Sequence, residues 1–366
     1  MLSSTEDVIS LSIGQPDFVT PLHIREAAIR SLQQGYTMYT SNYGLLELRQ
    51  ELSKYLELRY GVSYDPESEI LITVGTSEGL DLGLRAILNP GDEVIIPDPG
   101  YVAYSPCIIV AGGVPIMVPT NRENNFVIKA GDIEPYITDK TKIILIGYPS
   151  NPTGAVMSRD ELKEIAELAQ KYGLLVISDE IYARLVYGVE HTCFTTLPGM
   201  KKQAILLGGF SKTYAMTGWR IGYAAASSQF IEAMIRIHQY TMLCAPITAQ
   251  AAAIEALKSG ESDVEMMVRE YDKRRRVIVK GLNEIGLPCF EPKGAFYAFP
   301  SIEITGMTSE EFCEKLLIEE KVAAISGSTF GRRGEGFIRC SYTTSLKNIQ
   351  EALKRMGRFV NKYRKS

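Results

Sequence analysis

Short, unbroken runs of apolar residues recur through the middle of the chain, and amphipathic stretches separate them. The runs that we predict as strands are residues 70–74, 93–97, 114–118, 142–146, 174–178 and 204–207. A strand with one face in water alternates apolar and polar residues, whereas a strand buried on both faces does not. The pattern therefore predicts an α/β fold, with a mostly parallel sheet covered by helices on both faces.

Helical periodicity lies between these runs and dominates the last third of the chain. The helices predicted between the strands cover residues 78–88, 101–111 and 158–172. Ser158 and Glu161 form a capping box at the start of the third helix. The later elements are a long helix at 264–285, short β-rich segments at 295–299, 322–325 and 337–340, and helices at 309–320 and 346–363. This change predicts a smaller α+β domain.

Length and pattern together suggest two domains. A chain of 366 residues corresponds to two or so domains at about 150 residues each. We assign residues 38–275 to a large α/β domain, and residues 1–37 plus 276–366 to the small one.

Composition excludes several classes of partner. The net charge is −4, and the densest basic cluster, Arg274-Arg275-Arg276, is interpreted as a solvated helix face, so no nucleic-acid partner is expected. No run of about 18 apolar residues and no basic start followed by an apolar core is present, so neither a membrane partner nor a secretory signal is expected. The 6 cysteines lack a CxxC pair and the 3 histidines lack metal spacing, which indicates reduced thiols, a cytoplasmic protein and no metal site.

Lys212 and Arg220 lie in the stretch that says most about function, Gly209-Phe210-Ser211-Lys212-Thr213-Tyr214-Ala215-Met216-Thr217-Gly218-Trp219-Arg220. A lysine that attacks a carbonyl must have its charged form destabilised, and a nearby cation does this. An arginine also suits a phosphate. Pyridoxal 5′-phosphate needs both a reactive lysine and a phosphate anchor. Taken alone, Lys212 is better explained as one of many solvated basic side chains, and the rest of the chain reverses this interpretation.

Residues that follow the predicted strands carry further candidate chemistry, because ligands of α/β sheets bind beyond the carboxyl ends of strands. Gly75, Thr76 and Ser77 follow one strand at the start of a helix, which favours a phosphate, although an ordinary turn has the same residues. Asp179 follows another and is suited to a protonated pyridine nitrogen, or to capping the next helix. Tyr182, on the same predicted helical face, could donate to a phenolate oxygen.

Three more positions complete the candidate site. Asn151 lies between two prolines in a rigid loop, and Tyr101 offers an aromatic face that could stack on a flat ring. Arg339 lies inside an apolar strand, where a buried arginine needs a partner. That partner is either a substrate carboxylate or an internal Asp or Glu.

Taken in order, these segments resemble the class I/II aminotransferases of pyridoxal-phosphate fold type I, especially the aspartate, aromatic and N-acetyl-diaminopimelate aminotransferases. The similarity runs from Leu11-Ser12-Ile13-Gly14-Gln15-Pro16-Asp17-Phe18 to the strand that carries Arg339. It implies a fold with a large cofactor-binding domain, a pyridoxal 5′-phosphate cofactor, amino-acid and 2-oxo-acid substrates in amino-acid metabolism, and a homodimer with shared active sites.

The resemblance also implies a role for each residue. Lys212 would form the Schiff base, Asp179 would pair with the pyridine nitrogen, and Asn151 and Tyr182 would face the phenolic oxygen. Tyr101 would stack on the ring. The phosphate would be held by Gly75, Thr76, Ser77 and Arg220, with Tyr39 reaching across from the partner subunit. Arg339 would bind the substrate carboxylate, helped by Asn151 and the backbone of Gly14.

Two departures from the family pattern affect these expectations. Some relatives have serine where this chain has Gly209, which removes one hydroxyl from the phosphate site, and Ser211 is the candidate replacement. The chain also begins close to the first motif, so the longer N-terminal arm of many relatives is not expected here.

The resemblance leaves three functions to compare. The first is an aminotransferase that moves an amino group from an L-amino acid to a 2-oxo acid through a pyridoxal and pyridoxamine phosphate cycle. The second is a carbon–sulfur β-lyase, which shares almost every residue named. The third is a non-catalytic ligand-sensing module, which the absence of a basic recognition helix disfavours. A nicotinamide-dependent dehydrogenase is weaker still, because no G-x-G-x-x-G follows the first strand.

Overall fold

The computed structural model describes residues 7–364. Its strands are β1 (Ile9–Ser10), β2 (Ile70–Thr73), β3 (Glu93–Asp98), β4 (Val114–Pro119), β5 (Thr141–Gly147), β6 (Leu175–Asp179), β7 (Ala204–Gly209), β8 (Gly222–Ala225), β9 (Tyr297–Ala298), β10 (Val322–Ala323), β11 (Ile325–Ser326) and β12 (Ile338–Ser341). Its α-helices are α1 (Leu22–Gln33), α2 (Leu46–Tyr60), α3 (Thr76–Ile87), α4 (Tyr104–Val110), α5 (Ala130–Ile133), α6 (Arg159–Tyr172), α7 (Met200–Gln203), α8 (Ser228–Thr241), α9 (Ile247–Ser259), α10 (Glu261–Glu284), α11 (Ser309–Glu320) and α12 (Leu346–Tyr363).

A seven-stranded sheet in the order β2-β8-β7-β6-β5-β3-β4 forms the centre of the molecule. The pairs β7–β6, β6–β5, β5–β3 and β3–β4 are parallel, whereas β8 runs antiparallel to both of its neighbours. The carboxyl ends of the parallel strands therefore meet at one edge of the sheet. The predicted α/β fold with a mostly parallel sheet is confirmed.

Both faces of this sheet are buried, which explains the unbroken apolar runs. Along β5, Ile143 and Leu145 pack in the core beneath α3, α4 and α8. Their neighbours Ile144 and Ile146 pack in a different core on the opposite face, together with residues of α6. Because successive side chains of a strand point to opposite faces, a strand with a core on each side needs apolar residues at every position.

A second, smaller group of elements is built around the antiparallel sheet β11-β12-β9 and the parallel pair β1–β10. Its core includes residues of α10, α11 and α12, among them Tyr271, Phe312 and Phe359. β1 thus pairs with this group, whereas α1 contributes Ile24 to the core shared by α2 and α9 of the large sheet. The division into residues 38–275 and residues 1–37 plus 276–366 stays a prediction.

Two sequence-based expectations are wrong. The first concerns the segment after β6, which forms turns and not a helix, so Asp179 and Tyr182 do not share a helical face. The Asp179 carboxylate accepts a hydrogen bond from the N–H of Ile181, and this bond favours a turn over the start of a helix. The interpretation of the arginine cluster as a solvated face is also incorrect. Arg274 and Arg275 are 6% and 4% exposed and pair with carboxylates distant in sequence, and only Arg276 is exposed.

Several predicted boundaries are confirmed with small shifts. Ser158 caps α6 and accepts the N–H of Glu161, in the predicted capping box. The strand β8 and the helices α8 and α9 were not predicted. Within residues 7–364, no helix is long and apolar enough to cross a membrane.

Candidate active site

A cavity of about 400 Å³ lies at the carboxyl edge of the large sheet. It brings together most of the predicted site residues, namely Gly14, Thr76, Ser77, Tyr101, Asn151, Asp179, Tyr182, Lys212, Arg220 and Arg339. Tyr104, Ser211 and Tyr297 also line it. A larger groove of about 840 Å³ shares no lining residue with this cavity and holds none of the predicted set.

Lys212 follows β7 and is partly buried, with its Nζ donating to the Gly14 carbonyl oxygen at 2.9 Å. Loss of water and the positive charges of Arg220 and Arg339 together lower its pKa to about 8, against the opposing effect of Asp179. A lysine in this state supplies a free amine near neutral pH far more readily than a solvated one does. The interpretation of Lys212 as a solvated surface lysine is therefore wrong.

Asp179 ends β6 and is 7% exposed. One carboxylate oxygen accepts the N–H of Ile181 at 3.2 Å, and the other accepts the hydroxyl of Tyr104 at 3.0 Å. Burial raises the pKa of Asp179 to about 6, although both hydrogen bonds oppose this rise. The carboxylate is thus largely ionised at neutral pH and can accept a hydrogen bond from a protonated group of a ligand.

Tyr104 is a site residue that the sequence analysis missed. It is the first residue of α4 and is 4% exposed, and its hydroxyl would lie 2.0 Å from a Cβ at Gly147. Glycine at position 147 therefore leaves the space through which Tyr104 reaches Asp179. The available signal was the spacing of Tyr101 and Tyr104, three residues apart at the start of a predicted helix.

The turn between β2 and α3 forms a cradle suited to an anion. Gly75 has a φ of 78°, and α3 begins at Thr76, so the N–H groups of its first turn lie at the cavity. A Cβ at Gly75 would lie 2.5 Å from Nη2 of Arg220. Arg220 itself has a φ of 53°, in the left-handed region, and its Nη1 donates to the Thr217 carbonyl oxygen at 3.0 Å.

The surroundings of Gly209 leave little room for a side chain. A Cβ at this position would lie 2.6 Å from the hydroxyl oxygen of Thr76, and 3.0 Å from Ile181. That hydroxyl donates to the Gly208 carbonyl oxygen at 2.9 Å. A serine at position 209 would thus displace Thr76, whereas Ser211 lines the cavity without this conflict.

Arg339 lies on β12 and is 8% exposed. Its guanidinium donates to Oδ1 of Asn151 at 2.9 Å and to the Ser12 carbonyl oxygen at 2.7 Å. Within the described residues its hydrogen-bonding partners are Asn151 and Ser12 and include no carboxylate, and its buried Nε has no hydrogen-bonding partner. The alternative of an internal Asp or Glu partner is therefore wrong, and the group retains capacity for a ligand carboxylate.

Four tyrosines line the cavity, namely Tyr101, Tyr104, Tyr182 and Tyr297. The Tyr182 hydroxyl lies 2.7 Å from that of Tyr297. Tyr101 packs edge-to-face on Tyr104, with ring centroids 5.4 Å apart. The predicted stacking of Tyr101 on a ligand ring stays a prediction.

Two predicted site residues do not line the cavity: Gly75, which lies beside Arg220 at its edge, and Tyr39. The side chain of Tyr39 is 82% exposed. The role assigned to Tyr39 by resemblance requires a second subunit, so it stays a prediction.

Comparison with known proteins agrees with this geometry. The family model for "Aminotransferase class I and II" matches residues 6–356. YugH of Bacillus subtilis (strain 168), which carries the provisional name of an aminotransferase, is 55% identical over 362 residues, covering 99% of this chain and 94% of the relative. The aspartate aminotransferase of Pyrococcus abyssi (strain GE5 / Orsay) is 46% identical over 358 residues, covering 97% and 92%.

Comparison with a solved structure agrees with these sequence matches. The crystal structure of the aromatic aminotransferase from Pyrococcus horikoshii OT3 aligns with a TM-score of 0.96 at 45% identity, covering 99% of this chain and 97% of that one. Sequence and fold both match along nearly the whole length, and the chain belongs to the class I and II aminotransferases.

Proposed function

We propose that this aminotransferase binds pyridoxal 5′-phosphate in the 400 Å³ cavity and acts on L-amino acids and 2-oxo acids there. The observation that carries the proposal is the grouping of a lysine whose pKa is lowered, a buried carboxylate and a buried arginine without an acidic partner. The cofactor would supply an aldehyde for the lysine and a ring nitrogen for the carboxylate, and the substrate would supply a carboxylate for the arginine.

The residues present fit the cofactor. The N-terminus of α3 and Arg220 would hold the phosphate, because a Cβ at Gly75 would fill the space beside the guanidinium. Asp179 would face the pyridine nitrogen, with Asn151 and Tyr182 beside the phenolic oxygen and Tyr101 on the ring. The pyridine ring supplies an electron sink when it is bound and protonated.

Side chains of this protein would supply covalent attachment, proton transfer and substrate binding. Lys212 would hold the cofactor through its side-chain amine, and the same amine, once free, would accept the α-proton of the bound substrate and return it. Asp179 keeps the pyridine nitrogen protonated, because an ionised carboxylate favours a nearby cation. Arg339 binds the substrate α-carboxylate through a planar fork, with Asn151 and the Gly14 backbone beside it.

We further propose a cytoplasmic homodimer in which each site is completed by Tyr39 of the other subunit. The exposure of Tyr39 and of its neighbour Met38, at 82% and 78%, supports a contact outside this chain, because large apolar side chains are seldom left so exposed together. All 6 cysteines are free, which supports a reducing compartment.

A panel of amino donors tests the function. Purified enzyme with pyridoxal 5′-phosphate is mixed with each L-amino acid, and pyridoxamine phosphate and the 2-oxo acid are measured. Aspartate and aromatic amino acids come first, because relatives carry those names. We expect stoichiometric transfer to 2-oxoglutarate, and none with Lys212→Ala. Release of ammonia and pyruvate from cystathionine, without transfer, would instead identify a β-lyase.

A further inference from the structure

Tyr297 lines the cavity beside residues to which the proposed function assigns roles, yet it has no role there itself. It lies on β9, is 1% exposed, and pairs in antiparallel register with Ser341 of β12. The neighbouring strand therefore carries Arg339 only two residues away from this pairing position. Tyr297 is thus fixed by the same small sheet that places the carboxylate-binding arginine.

The ring of Tyr297 packs against the guanidinium of Arg339, with the guanidinium carbon 4.5 Å from the ring centroid. Phe330 lies at 5.0 Å by the same measure. Aromatic rings attract a cation placed over their faces, more strongly where water is excluded. Two rings and the hydrogen bonds to Asn151 and Ser12 therefore limit the orientations open to the Arg339 fork.

The hydroxyl of Tyr297 has a different neighbour. It lies 2.7 Å from the hydroxyl of Tyr182, and within the described residues neither oxygen makes another hydrogen bond. Each phenol carries one proton, so one hydroxyl donates and the other accepts. When Tyr297 donates, the proton of Tyr182 is free to point into the cavity, and accepting a hydrogen bond makes Tyr182 a stronger donor.

Gly14 brings the N-terminal segment against the same hydroxyl. A Cβ at Gly14 would lie 2.5 Å from the Tyr297 oxygen, so a larger residue would displace the tyrosine. The Gly14 carbonyl oxygen accepts a hydrogen bond from Nζ of Lys212 at 2.9 Å. Tyr297 is therefore in contact with three parts of the site at once, namely the Arg339 fork, the Tyr182 hydroxyl and the N-terminal segment whose Gly14 carbonyl oxygen binds Lys212.

We propose that Tyr297 is a positioning residue with two separable functions: its ring orients Arg339 toward the substrate carboxylate, and its hydroxyl donates to Tyr182 so that Tyr182 donates to the cofactor's phenolic oxygen. This inference rests on the proposed function, because it requires Arg339 and Tyr182 to act as assigned there. It predicts that loss of the hydroxyl and loss of the ring change different observables.

Tyr297→Phe tests the hydroxyl in the holoenzyme. The ring remains beside Arg339, and only the donor to Tyr182 is lost. Because Tyr182 stabilises the deprotonated phenolic oxygen, weakening it should raise the pH midpoint of the cofactor's visible absorption change by about one unit. KM for amino acids should stay within about twofold of wild type, because the ring contact is kept. The other titratable groups facing this pair, Tyr101 and Arg339, are unchanged by the substitution.

Tyr297→Leu tests the ring. It removes the aromatic face as well as the hydroxyl, so it should show the same pH shift and, in addition, raise KM about tenfold for every amino acid whatever its side chain. Tyr297→Met serves if the leucine variant does not fold. Tyr342→Phe is the matched control, because it removes a buried hydroxyl from the same core that donates to the Ala295 carbonyl oxygen at 3.3 Å and does not line the cavity. It should change neither the pH midpoint nor KM.

The outcomes separate this inference from the function on which it rests. A Tyr297→Phe titration that superimposes on the wild-type curve would overturn the role of the hydroxyl. An unchanged KM in a folded leucine or methionine variant would overturn the role of the ring. Absence of any visible band in wild-type enzyme loaded with pyridoxal 5′-phosphate would instead show that the proposed function fails, and the inference with it.

Discussion

Burial and the charges of two arginines shift the pKa of Lys212 in the same direction, whereas burial and hydrogen bonding shift the pKa of Asp179 in opposite directions. Removing water disfavours the Lys212 ammonium, and the two arginines add repulsion, so its pKa falls to about 8. Removing water also disfavours the Asp179 carboxylate and raises its pKa to about 6, while Tyr104 and the Ile181 N–H limit the rise. A reactive amine and an ionised carboxylate thus coexist near neutral pH.

The pKa of Lys212 predicts how the apoenzyme reacts with pyridoxal, which has the aldehyde but no phosphate. Only the neutral amine attacks, so the rate should rise with pH through about pH 8 and then level off. Arg220→Gln removes a positive charge that lowers the pKa, so the midpoint should move to higher pH. Arg85→Gln, an exposed arginine paired with Asp81, should leave the midpoint unchanged. A midpoint at the value of a solvated lysine would contradict the assignment.

Arg339→Lys tests the carboxylate site. A point charge replaces a planar fork, so KM should rise for every amino acid by about tenfold or more. Steady-state kinetics with aspartate, alanine and phenylalanine measure this, and Arg269→Lys, at an exposed site on α10, serves as the control. If only acidic amino acids were affected, Arg339 would bind the side-chain carboxylate instead.

At the scale of elements, residues that follow strands could be predicted, and contacts between elements could not. Lys212 and Asp179 were found because a local pattern places them at the carboxyl ends of buried strands. Tyr297 was missed because its position depends on the pairing of β9 with β12. The helix expected after β6 does not form, because the Asp179 side chain bonds the Ile181 N–H and stabilises a turn.

The strand β8 and the burial of two arginines were not predicted, because no local sequence pattern indicates them. β8 has the sequence Gly-Tyr-Ala-Ala, and its three residues of low β propensity, Gly222, Ala224 and Ala225, form a strand because β2 and β7 lie on either side. Arg274 and Arg275 looked solvated because their partners Asp17 and Glu291 are separated from them in the sequence. Tertiary contacts decide both cases.

The turn between β2 and α3 gives the element-scale prediction. Gly75→Ala places a Cβ 2.5 Å from Arg220 Nη2, at a φ of 78° that alanine adopts poorly. We expect the affinity for pyridoxal 5′-phosphate to fall by about tenfold or more, measured by titration of the apoenzyme. Gly61→Ala has a similar φ of 76° but nothing within 4 Å, so it should lower stability without loosening the cofactor. Equal loss of affinity in both variants would argue against the cradle.

At the scale of the whole molecule, the proposed site needs a second subunit, because Tyr39 does not line the cavity of its own chain. Tyr39 lies in the loop before α2, and Gln250 of α9 donates to the side chain of its neighbour Thr40 at 3.2 Å. The loop is thus anchored to the large sheet domain while Tyr39 itself points to solvent at 82% exposure. A two-fold dimer would present the same exposed tyrosine to the opposite site.

Mixing two inactive variants tests this shared site. Tyr39→Ala and Lys212→Ala homodimers are combined under conditions that exchange subunits. In a mixed dimer one site carries both lesions and the other carries neither, so activity should return to about a quarter of wild type after random reassociation. If exchange is confirmed by mass spectrometry and no activity returns, Tyr39 belongs to the site of its own chain.

The central claim is that Lys212 holds the cofactor and yields it to an amino acid. Wild-type holoenzyme is reduced with borohydride, digested and mapped by mass spectrometry, with and without prior addition of an excess of a reactive L-amino acid. The account predicts a pyridoxyl phosphate adduct on the Lys212 peptide alone, and its loss when the amino acid is added first. An adduct on another lysine, or one that persists after the amino acid has reacted, would contradict the account.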